Sequence, residues 1–113
     1  MSKRIETFSE FWPFYLGEHS KPATRTMHFI GSCGTLLNLV AAVVLMQPWY
    51  FLSAAVCGYG FAWVSHFFIE HNRPATFTYP LWSLIADWKM WGLMLVGKLG
   101  PELQAARVAP PAA

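Results

Sequence analysis

Two uninterrupted apolar stretches dominate the chain: residues 27–47, MHFIGSCGTLLNLVAAVVLMQ, and residues 49–69, WYFLSAAVCGYGFAWVSHFFI. Neither contains a formal charge, and each matches the ~20 residues a helix needs to cross a hydrocarbon core. Pro48 separates them. Proline ends the first helix and leaves room only for a tight antiparallel hairpin. Thr24 or Thr26 stands where it can cap the first helix. Gly31, Thr35, Ala54 and Gly58 recur at four-residue spacing within each stretch, which predicts a seam where two backbones approach closely. Asn38, in mid-span, is expected to pair the two helices.

The flanks are less regular. Residues 5–16, IETFSEFWPFYL, are aromatic but carry Glu6 and Glu10 and are too short to span. They predict an interfacial helix with Phe8, Phe11, Trp12 and Tyr15 at headgroup depth, ended by Gly17 and Pro22. Residues 81–99 form a third apolar segment that contains Asp87 and Lys89. A charge at mid-bilayer costs roughly 2.5–3.5 kcal/mol on insertion scales. Lys3, Arg4, Lys21 and Arg25 precede the first span, the hairpin turn is uncharged, and Arg73 follows the second. The positive-inside rule therefore places both outer ends of the hairpin in the cytosol. A true third span would carry Lys98 and Arg107 outside, so the third helix is expected to lie in plane or re-enter. The Ala- and Pro-rich tail, residues 101–113, is expected to be flexible. All 113 residues thus read as one all-α, membrane-embedded domain, an antiparallel transmembrane hairpin with flanking interfacial or re-entrant helices. Residues 1–26 form its cytosolic or interfacial segment.

Composition agrees. The chain is 55% hydrophobic, 17% aromatic and only 12% charged, about half the charged share of a soluble domain. A soluble domain this small has too little interior for so much apolar surface. The net charge of +2 comes without a basic run, which excludes a nucleic-acid partner. Cys33 and Cys57 lie at different depths in antiparallel helices and read as small buried hydrophobes rather than a disulfide. The basic start is followed by Glu6, Ser9 and Glu10 instead of an apolar run, so no cleavable signal is expected. A homo-oligomer is left open.

The chemical signal lies in the four histidines, His19, His28, His66 and His71. His28 lies one residue inside the first span and His66 three before the end of the second, so an antiparallel hairpin brings both to one face. None lies at the outer end. Glu70, four residues after His66, shares its helix face. His71 joins the group only if the helix unwinds before Pro74. Asp87 enters if the third segment begins at that level, and Arg25 and Arg73 stand nearby as headgroup contacts or carboxylate partners. Three readings stay open: a metal site, histidines that merely pair helices or line the interface, and a proton relay. Imidazoles with a carboxylate suit non-haem iron better than a structural zinc, which more often uses thiolates.

The strings FYLGEHS (14–20), RTMH (25–28) and AWVSHFFIEHNRPATFTYPLWSLIADWKM (62–90) resemble a family of small multi-pass membrane proteins once known only as a domain of unknown function. Its fungal member is an iron(II)-dependent 2-hydroxy fatty acid dioxygenase of the endoplasmic reticulum, which shortens its substrate by one carbon. The resemblance covers about residues 8–92 and no single short motif is diagnostic. It implies Fe(II) held by His19, His28 and His66, with Glu70 or Asp87 completing or orienting the site. Pro74 and Ala75 match the family's Pro-Ala pair. His71 departs from the fungal pattern, where a basic residue tends to stand, but remains a candidate ligand on position alone. The implied partners are a lipid-like 2-hydroxy acid, its carboxylate paired with Arg25 or Arg73, and membrane lipids. The chain is short, similar to the bacterial branch, which implies a bacterial inner membrane with the histidine cluster facing the cytosol. Two rivals belong to other classes: a non-catalytic lipid-binding or assembly protein, and a proton-coupled transporter. The transporter would need polar groups through the outer halves of both spans, which lack them.

Overall fold

In the computed structural model, which describes residues 4–107, all regular structure is helical. Helix α1 (Phe8–Gly17) is followed by α2 (Pro22–Val44) and α3 (Trp49–Ser65). A π-helical turn (His66–Glu70) and a 3-10 turn (Ala75–Phe77) then lead to α4 (Pro80–Leu95) and α5 (Leu99–Ala105).

The hairpin of α2 and α3 is the frame. Pro22 opens α2 where its missing N–H is no loss. That start lies five residues before the position predicted from hydropathy, because the polar turn PATRT is helical too. Met46, left-handed at φ 52, and Pro48 reverse the chain. The small-residue seam forms as expected. A Cβ on Gly31 would lie 2.9 Å from Phe61 Cβ, one on Gly34 would run into Cys57 Sγ, and one on Gly58 would lie 2.6 Å from Thr35 Oγ1. Thr35 Oγ1 also donates across the seam to the Ala54 carbonyl at 2.8 Å. Asn38 does not pair the helices. Its Nδ2 donates to the Gly34 carbonyl, 2.8 Å away in its own helix. Both cysteines are free thiols, and Cys33 Sγ accepts from Trp91 Nε1 at 3.4 Å.

Outward from the seam, α2 and α3 expose apolar side chains along their length, including Leu37 at 72% and Leu52 at 69%. Both helices (the second continuing through Glu70) are long and apolar enough to cross a membrane. The 16 residues of α4 would reach only about 24 Å, short of a ~30 Å hydrocarbon core.

At the open end of the hairpin, α1, α4 and α5 form a cap with its own core. Phe11, Tyr15 and Leu16 of α1 are buried against Ala86 and Met90 of α4 and Leu99 of α5. The α1 aromatics expected at headgroup depth therefore spend much of their surface on protein. The two charges in α4 are also accounted for. Lys89 Nζ sits 4.3 Å from the Trp12 ring centroid, a cation–π contact, and Asp87 accepts from the Tyr15 hydroxyl. Residues expected to fray after Gly100 instead continue α5 to Ala105, held by buried Leu99 and by Trp12 Nε1 donating to Glu102 at 2.8 Å. Residues 108–113 of the expected tail lie outside the described residues.

A tri-histidine centre

Three elements each deliver one buried imidazole to the junction of hairpin and cap. His19 follows α1, His28 lies in the second turn of α2, and His66 begins the π-helical turn. Their rings stand nearly perpendicular to one another, at 82°, 79° and 90°. In that arrangement three ring edges can converge without the faces colliding. His19 Nε2 lies 3.0 Å from His28 Nε2 and 3.1 Å from His66 Nε2.

The outer nitrogens decide what the inner ones are. His19 Nδ1 lies 2.7 Å from the Tyr15 carbonyl and His28 Nδ1 3.0 Å from the Thr24 carbonyl. Carbonyl oxygens only accept, so both Nδ1 atoms must carry the proton. His66 Nδ1 lies 2.7 Å from Asn72 Oδ1. The Asn72 amide orientation is itself fixed, because its Nδ2 donates to the Glu18 carbonyl at 3.1 Å and to Glu18 Oε2 at 3.0 Å. His66 Nδ1 is therefore a donor as well. In neutral rings all three Nε2 atoms then present bare lone pairs to one another. Such a cluster is repulsive unless a cation lies among them. Nitrogens about 2.1 Å from a common metal at right angles are about 3.0 Å apart, which the two separations from His19 Nε2 match, and the three ligand atoms together lie within 4.8 Å of one another. Oxygen acceptors behind each imidazole are the usual support of histidine ligands.

The surroundings favour neutral rings. Burial, and next the neighbouring His28 and His66, hold His19 well below the ordinary histidine range. Tyr15 stacks on the His19 ring at 4.0 Å between centroids, and its hydroxyl reaches Asp87. Burial pushes the Asp87 carboxyl up to about 7, and burial followed by the Asp87 charge raises the Tyr15 phenol well above its ordinary value. A small cavity of about 10 Å³ runs along this cluster, lined by residues that include the three histidines, Tyr15, Ser83 and Asp87. The Ser83 hydroxyl is buried and has no hydrogen-bond partner.

The other candidate residues are placed differently. The Glu70 carboxylate turns away from the imidazoles and accepts from Ser20 Oγ at 2.8 Å and from the Lys21 N–H at 2.6 Å. It thereby supplies the cap that α2 lacks, since Lys21 offers no capping side chain. His71 is not brought to the cluster. It is exposed and left-handed at φ 60, ending the π-helical turn so that the Asn72 N–H can reach the His66 carbonyl at 2.9 Å. Arg25 Nη1 donates to the His19 carbonyl at 2.6 Å. Arg73 is exposed and lies over the Phe77 ring. Among the described residues the group of three or more ligand-type side chains that converge is His19, His28 and His66, with neither thiolate nor carboxylate among them. The role of Asn72 and Glu18 in fixing His66 depends on the π-helical turn, which no sequence pattern announces.

Three buried histidines that could hold a metal ion, at the base of an apolar helical hairpin, make an all-helical fold compatible with metal binding and with a membrane. Residues 5–99 match the family described as 2-hydroxy-palmitic acid dioxygenase Mpo1-like, and the chain belongs to that family. No curated protein and no solved structure matches the chain.

Proposed function

We propose that this protein is an iron(II)-dependent dioxygenase of the membrane that shortens long-chain 2-hydroxy fatty acids by one carbon. The observation that carries the reading is the convergence of three Nε2 lone pairs whose Nδ1 atoms are all committed to oxygen acceptors. His19, His28 and His66 would hold the ion, and family membership supplies the substrate class. Three neutral nitrogen ligands and no thiolate suit Fe(II), leaving positions for substrate oxygens. When bound, the ion would supply dioxygen activation and a Lewis-acid anchor for the substrate's carboxylate and 2-hydroxyl.

The net reaction balances as one 2-hydroxy acid and one dioxygen giving the acid one carbon shorter, carbon dioxide and water. The C1–C2 bond breaks, C2 rises to the carboxyl level, and dioxygen takes up four electrons. The protein's own residues set the conditions. Burial of the centre excludes bulk water. Ser83, unpartnered in the cavity, would donate to a substrate oxygen. Asp87, with Tyr15 bonded to it, would hold or pass a proton beside the site. Arg25 orients the His19 backbone and Glu70 locks the loop that carries His19 to the end of α3, both acting through the ligands. Arg73 would meet lipid phosphate or an incoming carboxylate at the surface. Lys21, Arg25 and Arg73 mark the histidine end of the hairpin as basic, which supports a cytosolic centre on two membrane spans.

The test is substrate discrimination. Membranes carrying the protein should consume a long 2-hydroxy acid and release the acid one carbon shorter, only with dioxygen and Fe(II). The plain acid of equal length should not react, because chelation needs both oxygens to place the C1–C2 bond. Equal consumption of both acids would refute chelation. Consumption of neither by metal-loaded protein would refute the enzyme reading.

A further inference from the structure

The centre does not sit in a closed chamber. Three of the residues lining its cavity, His28, Ala62 and Asp87, also line a second, half-open space with a cavity volume of about 90 Å³. It is a groove. One wall is α2, passing from His28 through Ser32 to Thr35; a second is α3, passing from Ala62 through Gly58 to Ala55 and Ala54. Leu84 and Trp88 of α4 close the third side. Ala54, Ala55, Gly58 and Ala62 of α3 keep the space open beside Tyr59; the imidazole and the Asp87 carboxylate stand at the histidine end, and the hydroxyls of Ser32, Thr35 and Tyr59 lie further along. From His28 to Thr35 the groove follows seven residues of helix, about 10 Å.

We propose that this groove holds the acyl chain of the substrate, and that Ala55 at its far end fixes how much of the chain the protein grips. The assignment of the occupant rests on the 2-hydroxy acid reading above. The groove itself adds the direction: the ionisable, ligand-bearing groups stand at one end, where it shares His28, Ala62 and Asp87 with the centre, and the rest of its length carries no charged group. A single amphiphile with its carboxylate at the histidines matches that order, whereas a helix from a partner is too wide for it. About 10 Å accommodates about eight methylenes in a zigzag of ~1.5 Å bonds. Beyond Thr35 and Ala55 the hairpin presents Leu37 and Leu52, both well exposed, so the rest of a longer chain leaves the groove into lipid. The protein therefore reads the head and first half of the chain and tolerates any length beyond it. A closed tunnel would instead impose an upper limit.

Photocrosslinking tests this in the full chain, metal-loaded in nanodiscs. Two 2-hydroxy acid probes are used, one with a diazirine near the carboxyl and one with it about eight carbons along. The near probe should label peptides around Ala62 and Leu84, and the far probe those around Thr35 and Ala55. Ala55→Phe adds bulk at an exposed position on the groove wall. It should cut far-probe labelling at least fivefold while leaving near-probe labelling, metal content and thermal midpoint unchanged. Far-probe label spread over Leu37 and Val40 on the outer faces, or indifferent to Ala55→Phe, would overturn the groove. The two proposals fail separately. Turnover of the 2-hydroxy acid with scattered labelling keeps the enzyme and removes the groove. Groove labelling without turnover keeps the groove and removes the reaction.

Discussion

His71 and Asn72 are adjacent in sequence and serve the centre in different ways. His71 carries metal-ligand chemistry but occupies the left-handed position that ends the π-helical turn, and its ring faces out. Asn72, an ordinary polar residue, makes the contact that gives His66 its tautomer. Its own amide is fixed by Glu18 on the loop after α1, so one side chain links two of the elements that supply ligands. Removing a support of this kind typically costs 10–100-fold in metal affinity. Asn72→Ala should therefore weaken metal binding by about that factor, measured by competition with a chelator. Unchanged affinity would show that His66 is held by packing alone.

At the scale of elements, the hairpin is the part most readable in the sequence. Its charge-free runs, the proline between them and the small residues at four-residue spacing each have one physical consequence, and the close contacts at Gly31, Thr35, Ala54 and Gly58 bear out the last. The seam also yields a controlled prediction. Gly31→Val would press against Phe61 and the Cys57 carbonyl, whereas a side chain at Gly60 meets nothing within 4 Å. The first should destabilise by about 1–3 kcal/mol and the second by little, read as thermal midpoints in the same detergent. Equal midpoints for the two variants would show that the close approach is not what holds the hairpin.

The cap was less legible for a definite reason. Hydropathy reports how much apolar surface an element carries but not what covers it, so the aromatics of α1 read as lying at headgroup depth when α4 and α5 cover many of them. Lys89 and Asp87 made α4 ambiguous until Trp12 and Tyr15 were seen to receive them. The same limit applies to the site. Depth along the hairpin brought His28 and His66 together, and family resemblance added His19. Glu70 ends the π-helical turn rather than joining His66, and its carboxylate serves the start of α2, where Thr24 and Thr26, the expected caps, lie inside the helix.

For the whole molecule, the hairpin and the cap have separate tasks. The hairpin offers an apolar exterior along two helices of membrane-spanning length. The cap closes its basic end and supplies His19, Tyr15 and Asp87 to the centre. The proposed orientation predicts that single cysteines at positions 21 and 73 of a Cys33→Ala, Cys57→Ala background are shielded from an impermeant reagent in intact cells. A cysteine at position 47 should react. Strong outside labelling at 21 or 73 would reverse the orientation.

The proposed chemistry depends on one ion shared by three imidazoles. Protein purified without oxygen and supplied with Fe(II) should carry about one iron per chain, with X-ray absorption showing histidine nitrogens at about 2.1 Å. His19→Ala, His28→Ala and His66→Ala should each release the metal from otherwise folded protein, and His71→Ala should retain it. Wild-type protein that takes up no transition metal, or His71→Ala losing it as completely as His28→Ala, would contradict the tri-histidine centre.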